Sequence, residues 1–269
     1  MSTLYIVATP IGNLEDISFR AIRTLREVTL IAAEDTRKTK RLLAHYDIKT
    51  PLTSYHEHNK LVKLDYILNR TENEDTALVS NAGMPGISDP GYELIIAATQ
   101  RNITVVPIPG PSAVTTALVI SGLPTDKFIY IGFFPHKSSG RQHILESISN
   151  EQNTIVALES PHRLPAALND MLLILGDRRL TICRELTKIH EEVFRGTISL
   201  AIKHFKEPRG EFTLVIEGKK QNKPKLTEEI EERLRNMRIS GATAKETIAK
   251  IAEETSLPKK EIYQAWLKQ

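Results

Sequence analysis

The sequence predicts an α/β protein built from two α/β lobes, with a small helical unit at its C-terminal end. Up to about residue 121, short apolar runs alternate with helical patterns and short loops, which is typical of a mostly parallel sheet covered on both faces. The strand-like runs after that point have fewer helices between them, which favours a mixed sheet. Near the end of the chain, apolar residues recur only at helical spacing. These patterns predict lobes at residues 1–123 and 124–218 and a helical unit at residues 226–269.

The first lobe is predicted from short, apolar and β-branched runs, each of which leads through a polar turn into a helix. Asp16 or Ser18 is the expected cap of the first helix. Strands are predicted at residues 4–8, 28–33, 76–79 and 103–106, and helices around residues 19–26, 38–43, 61–68, 91–98 and 113–121. The polar loops of this lobe therefore follow the carboxyl ends of strands, where open α/β sheets bind ligands.

The second lobe and the C-terminal unit follow from the same patterns. In the lobe, strands are predicted at residues 128–131, 154–158, 180–183, 192–196 and 212–216, with helices at residues 139–148 and 164–172. Residues 218–225 form a linker by composition. The unit after it begins with a helix capped by Thr227, and its last helix is expected to turn Ile262, Tyr263 and Trp266 inward. Its last two helices resemble a helix-turn-helix.

Composition narrows the class of protein. The chain has 269 residues, of which 41% are hydrophobic and 26% charged, as in ordinary globular proteins. Its single cysteine, Cys183, excludes an internal disulfide. The sequence has no signal-peptide pattern and no apolar run long enough for a bilayer, so we expect a cytoplasmic protein without membrane contact. Residues 219–269 carry 12 Lys and Arg against 8 Asp and Glu, and this basic excess weakly favours a polyanionic partner.

Residues 80–91, Ser-Asn-Ala-Gly-Met-Pro-Gly-Ile-Ser-Asp-Pro-Gly, are the most informative stretch of the chain. They connect an apolar strand to a helix. Glycine permits positive φ and close backbone approach, and proline fixes φ. Three glycines and two prolines lower the stability of a turn that only connects two elements, so a further role is favoured. We refer to residues 80–91 as the glycine loop and expect it to bind a small ligand.

An ordered set of motifs resembles the tetrapyrrole-methylase-like family of S-adenosylmethionine (SAM) methyltransferases. Within that family the chain is similar to the branch of ribosomal RNA small subunit methyltransferase I. The resemblance covers roughly residues 3–217, and its motifs are residues 7–16, 33–37, 81–91, 107–112, 133–135, 158–163, 184–188 and 209–213. The wider family has G-x-G-P-G in its first loop, where this chain has Ala-Thr-Pro-Ile-Gly at residues 8–12. This departure disfavours a porphyrin-precursor substrate.

The resemblance implies an activity, a cofactor and partners. It implies that the chain uses SAM to methylate the ribose 2′-hydroxyl of a cytidine in the decoding region of 16S rRNA, within the small ribosomal subunit. It also implies two α/β lobes with SAM in the cleft between them, and a homodimer. Backbone groups of the glycine loop and the start of the helix at Ser112 are suited to this cofactor, and the resemblance adds Leu186, Glu211, Phe212 and Thr213. The full set of residues expected to bind it is Pro10, Asn81, Ala82, Gly83, Pro85, Ile87, Ser88, Asp89, Ser112, Ala113, Leu158, Leu186, Glu211, Phe212 and Thr213.

A ribose hydroxyl is a poor nucleophile at neutral pH, so a general base is expected. Glu34, Asp35 and Glu159 are candidates because each ends a predicted strand near the presumed cleft. His56 and His58 are alternatives; with Glu57 they fit helix-borne zinc spacing poorly, so we predict no metal site. The residues predicted to hold RNA phosphates are Arg37, Lys38, Lys40 and Arg41.

The sequence leaves two other functions open. One is a small-molecule SAM methyltransferase of the tetrapyrrole or diphthine type, which the basic C-terminal unit and the altered first loop disfavour. The other is a non-enzymatic nucleic-acid-binding regulator built around the helix-turn-helix, which would leave the cleft loops without a role.

Overall fold

The computed structural model describes residues 2–220, 226–255 and 257–268. The chain separates into two compact units, residues 1–219 and residues 220–269. Most of the predicted linker, residues 221–225, lies outside the described residues. The first unit contains two sheets, and its predicted division into two lobes at residue 123 stays a prediction.

The first sheet is entirely parallel, as predicted, with strand order β3-β2-β4-β1-β5. Its strands are β1 (Thr3–Val7), β2 (Leu30–Ala33), β3 (Leu52–Ser54), β4 (Thr76–Val79) and β5 (Thr104–Ile108). Its helices are α1 (Phe19–Glu27), α2 (Thr36–His45), α3 (Lys60–Thr71), α4 (Tyr92–Gln100) and α5 (Ala113–Ile120). Ser18, one of the two predicted caps, accepts a hydrogen bond from the backbone of Ala21 and so begins α1.

The central strands of this sheet are buried on both faces, which explains their continuous apolar runs. On one face Val7, Ile31 and Val79 pack in the same core as residues of α1 and α2. On the other face Leu4 and Leu78 pack with residues of α3 and α4. Successive side chains of a strand point to opposite faces, so both cores draw on the same strands.

The second sheet is mixed, again as predicted, with strand order β6-β7-β10-β8-β9. Its strands are β6 (Phe128–Phe133), β7 (Thr154–Glu159), β8 (Arg179–Arg184), β9 (Glu192–Thr197) and β10 (Phe212–Ile216). The β6–β7 pair is parallel, and the other pairs are antiparallel. The helices of this part are α6 (Ser138–Ser147), α7 (Leu164–Leu175) and α8 (Ile198–His204).

The C-terminal unit consists of α9 (Glu228–Ile239), α10 (Ala244–Thr255) and α11 (Lys259–Leu267). Thr227 caps α9, as predicted. The three helices share a core of their own, which includes Leu234, Ile251 and Trp266. The prediction that Tyr263 faces inward was wrong, since 48% of it is exposed. Ser256, in the predicted turn between the last two helices, lies outside the described residues. Across the described part of the chain, no helix has the length and apolar character needed to cross a membrane.

Candidate active site between the two sheets

A cleft of about 410 Å³ is lined by loops after strands of the first sheet and by residues of the second sheet. The glycine loop supplies one side of it. The opposite side comes from β6, β7, β8 and β10, together with the loop after β8. A volume of this size is within the range of small-molecule and cofactor sites.

The glycine loop is held against the loop after β1 by a pair of backbone hydrogen bonds. Thr9 and Gly83 each donate an N–H to the other's carbonyl oxygen at 2.9 Å. Gly83 has φ +80°, and Gly86 has φ +83°, conformations that residues with a Cβ rarely adopt. Asn81, whose side chain borders the cleft, has a buried Oδ1 atom without a hydrogen-bond partner in the described structure.

Two neighbouring carboxylates line this side of the cleft. Glu34, directly after β2, accepts a hydrogen bond from the backbone N–H of Asn81 at 3.0 Å. Burial, and then the negative charge of Glu34, raise the pKa of Asp89 from 3.8 to about 6. Asp89 is therefore able to exchange a proton near neutral pH.

The other two candidate bases are held by cations. Glu159 is 1% exposed and lines the cleft; its Oε1 atom lies 2.7 Å from the guanidinium of Arg163, and its Oε2 atom is buried without a partner in the described structure. Asp35 lies outside the cleft lining because its carboxylate turns toward α2, where it caps the helix and pairs with Arg37 at 3.0 Å. Hydrogen bonds from Arg37 lower the pKa of Asp35 to about 2, which makes Asp35 a weak base.

The second sheet gives the cleft a largely apolar wall, which includes Leu158, Cys183, Leu186 and Phe212. Burial raises the pKa of the Cys183 thiol to about 11, so the thiol stays protonated at neutral pH. The thiol therefore behaves here as a small apolar group.

Beside that wall, an ion network orders the loops after β8 and before β10. Lys188 Nζ lies 2.9 Å from both Glu185 Oε1 and Glu211 Oε2, and Glu185 also accepts the backbone N–H of Glu211 at 2.8 Å. Gly210 is required at this point, because a Cβ there would lie 2.5–2.7 Å from the Glu185 side chain. The network thus fixes Glu211 at the edge of the cleft.

Ser112 and Ala113 bring the start of α5 to the cleft. Ser112 precedes the helix with extended backbone and makes no side-chain cap. The first backbone N–H groups of a helix lack intrahelical partners and carry a partial positive charge. This end of the cleft is therefore suited to an anionic group.

The structure brings most of the predicted cofactor residues together around the cleft, while two lie outside its lining. Pro10 borders a smaller neighbouring pocket. Pro85 is buried and lines neither the cleft nor that pocket. Of the predicted residues, the cleft is lined by Asn81, Ala82, Gly83, Ile87, Ser88, Asp89, Ser112, Ala113, Leu158, Leu186, Glu211, Phe212 and Thr213. The lining residues that were not predicted are Ile11, Met84, Val114, Tyr130, Phe133, Ser160, Pro161 and Cys183.

The predicted RNA-binding residues divide into two pairs. Lys38 and Arg41 line the smaller pocket, of about 160 Å³, which also contains Pro10 and Asn81; we call it the basic pocket. Lys38 reaches the main cleft as well. Arg37 pairs with Asp35, and Lys40 is exposed; neither lines the basic pocket.

The two alternative histidines line a further cavity, of about 430 Å³, which Glu34 and Asp89 also line. His56 and His58 have ring centroids 6.0 Å apart. Among the described residues, no group of His, Cys, Asp and Glu side chains has the arrangement of a metal site.

The family model described as Tetrapyrrole (Corrin/Porphyrin) Methylases matches residues 3–201. Among curated proteins, the chain is similar to a ribosomal RNA small subunit methyltransferase I of Halalkalibacterium halodurans, at 49% identity over 97% of this chain and 93% of the relative. It is 48% identical to the protein of that name from Synechocystis, over 98% of this chain and 97% of the relative. It is 46% identical to the Bacillus subtilis protein of the same name, over 99% of this chain and 94% of the relative.

Solved structures show the same fold at low identity. A diphthine synthase superposes with a TM-score of 0.63 at 13% identity, over 80% of this chain and 90% of that one. A uroporphyrin-III-C-methyltransferase from Thermus thermophilus superposes with a TM-score of 0.59 at 18% identity, over 81% of this chain and 94% of that one. The family model covers residues 3–201, well over half of the sequence, and the chain therefore belongs to the tetrapyrrole methylase family.

Proposed function

We propose that this chain transfers a methyl group from SAM to the ribose 2′-hydroxyl of a cytidine in the decoding region of 16S rRNA. The observation that carries the proposal is the similarity, over nearly the whole chain, to bacterial proteins named ribosomal RNA small subunit methyltransferase I. The cleft supplies the chemical support, because it joins a cofactor-sized volume with the carboxylates of Glu34 and Asp89.

The residues of the cleft fit SAM. Its amino group, ribose hydroxyls and adenine amino group are hydrogen-bond donors, and the cleft offers two buried acceptors without protein partners in the described structure, Asn81 Oδ1 and Glu159 Oε2. Its carboxylate suits the N-terminal end of α5 at Ser112. Its adenine ring suits the apolar wall around Leu158 and Leu186.

When bound, SAM supplies a methyl group already activated on a sulfonium, so the protein chiefly has to position the acceptor. Glu34 takes up the proton that the ribose 2′-hydroxyl loses, since it lines the cleft and its carboxylate accepts a backbone N–H rather than pairing with an arginine. Asp89 shares that proton, because its raised pKa places it near the working pH. Asp35 and Glu159 are weaker candidates, since each is paired with an arginine.

The proposal extends to the partner and the setting of the reaction. The acceptor is 16S rRNA within the small ribosomal subunit, and Lys38 and Arg41 contact its phosphates. The enzyme acts in the cytoplasm as a homodimer. The relatives' name supports RNA of the small subunit as the acceptor. The basic pocket supports the phosphate contacts of Lys38 and Arg41.

Calorimetry with SAM, followed by methyl transfer to purified small-subunit particles, tests the proposal. Wild type should bind SAM and methylate the particles. Gly83→Arg should abolish binding, because it places a long side chain at φ +80° in the cleft wall. Gly122→Arg is the matched control: it has a similar φ of +75° but open space around it, so it should bind normally. Failure of wild type to bind millimolar SAM would overturn the proposal.

Removal of residues 220–269 separates the enzyme from a regulator built around the helix-turn-helix. Residues 1–219 form a compact unit with hydrophobic cores of its own, so the truncated chain should fold. If the chain is an enzyme, the truncated protein should keep its SAM affinity. A truncated protein that folds but no longer binds SAM would contradict the proposal that the cleft binds SAM.

A further inference from the structure

The cavity beyond Glu34 and Asp89 is not used by the proposed function. We call it the histidine cavity; it is lined by Glu34, His56, Glu57, His58, Ser88, Asp89 and Pro90 and has a volume of about 430 Å³. Glu34, Ser88 and Asp89 line both this cavity and the main cleft. The two proposed proton acceptors therefore border both spaces, and the proposed cofactor occupies the main cleft.

The segment that carries the histidines is held in place by hydrogen bonds. Tyr55 donates its backbone N–H to Ala33 at the end of β2, at 2.8 Å. Asn59 accepts the backbone N–H of His56 at 2.8 Å and donates its side-chain amide to Ser54 Oγ at 2.8 Å. This order lowers the entropy cost of binding a ligand there.

His56 offers an unused hydrogen-bonding atom. Its Nδ1 is buried and has no partner in the described part of the structure. A buried polar atom without a partner costs about 1–3 kcal/mol, which a ligand that bonds to it would relieve. His56 also lines the histidine cavity, and the cavity and this unpartnered atom together point to a ligand.

The charges around the histidine cavity exclude a phosphate. Three carboxylates line it, and among the described residues no lysine or arginine does. The nearby Lys60 is engaged by Glu57 at 2.8 Å and by Glu93. Phosphates are instead suited to the basic pocket, where Lys38 and Arg41 lie. The part of an RNA that enters the histidine cavity must therefore be uncharged and rich in hydrogen-bond donors.

We propose that the histidine cavity binds the nucleobase of the target nucleotide and selects a base with an exocyclic amino group. This inference rests on the proposed function and names the feature of the substrate that this part of the site reads. The amino group of cytosine donates to a carboxylate, as it does to Glu and Asp in protein–nucleic acid complexes. Uracil presents a carbonyl oxygen at the same position, which would face the carboxylates unfavourably. His56 Nδ1, as the N–H tautomer, donates to N3 of cytosine; in uracil N3 carries a hydrogen and does not accept this bond.

His56→Ala tests the assignment. The nucleotide that wild type methylates is first mapped, and particles are then prepared with cytidine or uridine at that position. The variant should raise KM for the cytidine particle and reduce the preference for cytidine over uridine by about tenfold, since one good base contact contributes about 1–3 kcal/mol of discrimination. His56→Asn, which keeps a hydrogen-bonding side chain, should restore part of the preference. SAM affinity by calorimetry should stay unchanged in both.

His143→Ala, on the exposed face of α6, is the matched control and should behave as wild type. Unchanged KM and base preference in His56→Ala would overturn the inference while the proposed function stands. Equal losses of SAM affinity and transfer would also overturn it, since they would indicate a structural role for His56. A wild type that binds SAM but methylates no particle would overturn the proposed function and this inference together.

Discussion

Ser88 and Tyr130 join the glycine loop to the second sheet through a hydrogen bond of 2.6 Å between their side-chain oxygens. Ser88 holds a left-handed backbone conformation, with φ +65°. Such a conformation costs of order 1–3 kcal/mol in a residue other than glycine and persists only where its surroundings fix it. The hydroxyl of Tyr130 is one such constraint, and it lies on the cleft that the loop lines.

Tyr130→Phe is expected to weaken SAM binding by about five- to tenfold, because a neutral hydrogen bond contributes about 1 kcal/mol and here orders the loop proposed to bind SAM. Calorimetry on Ser88→Ala, Tyr130→Phe and the double variant measures the coupling between the two hydroxyls. Tyr66→Phe, half-exposed on α3, is the control. Strictly additive single effects would show that the hydroxyls act independently and would contradict this prediction.

Gly210→Ala is expected to destabilise the protein by about 2 kcal/mol more than Gly122→Ala. Both glycines have positive φ, +92° and +75°, so the backbone strain is similar. A Cβ at Gly210 meets the side chain of Glu185, whereas a Cβ at Gly122 meets nothing within 4 Å. The difference therefore isolates the steric cost of breaking the Glu185 network. Denaturant unfolding of the two variants measures it, and equal losses of stability would contradict the argument.

The parallel sheet could be predicted because its central strands are buried on both faces and read as unbroken apolar runs. β3 was missed: it has only three residues, Leu-Thr-Ser, all half-buried, so neither length nor burial marks it. α8 was missed for a similar reason, since its seven residues follow β9 directly. Short elements at the edge of a sheet owe their conformation to their neighbours more than to their own sequence.

The first-sheet side of the cleft could also be predicted, because its residues lie in loops after strands. Tyr130, Phe133 and Cys183 could not, because they lie within strands of the second sheet and reach the cleft only through the way the two sheets face each other. The cap at Asp35 was within reach of sequence reasoning: its spacing to the start of α2 is that of an N-cap, and a capping carboxylate is a poor candidate for a base.

Asp89→Asn is expected to stabilise the protein at about pH 8 and to leave its stability nearly unchanged at about pH 4. The folded-state pKa of Asp89 is about 6, above its ordinary value of 3.8. The folded protein therefore binds more protons than the unfolded chain between these two values, so wild-type stability falls as pH rises through that window and stays lowered above it. A shift of about two units corresponds to at most about 3 kcal/mol.

Thermal unfolding of wild type and Asp89→Asn across that pH range measures this difference. Asp126→Asn, at an exposed position, controls for the loss of one formal charge. If the stability gained by Asp89→Asn were the same at both ends of the range, protonation of Asp89 would not be its cause.

Lys38→Gln and Arg41→Gln are each expected to weaken binding to small-subunit particles and to reduce the salt dependence of binding. Lys38 and Arg41 lie three residues apart on one face of α2 and line the basic pocket beside the cleft. For each phosphate that the variant no longer neutralises, the slope of log affinity against log salt should fall by about 0.7–0.9. Filter binding at several salt concentrations measures both quantities.

Arg37→Gln and Lys40→Gln are the matched controls on the same helix, with the same change of charge. Arg37 already pairs with Asp35, its side chain is 88% exposed, and neither residue lines the basic pocket. The loss of a general positive charge would affect all four variants alike. A larger loss of affinity and of salt dependence in the Lys38 and Arg41 variants than in the controls would show that phosphates bind at the basic pocket. Equal slopes in all four variants would contradict this prediction and indicate that α2 contributes only through its net charge.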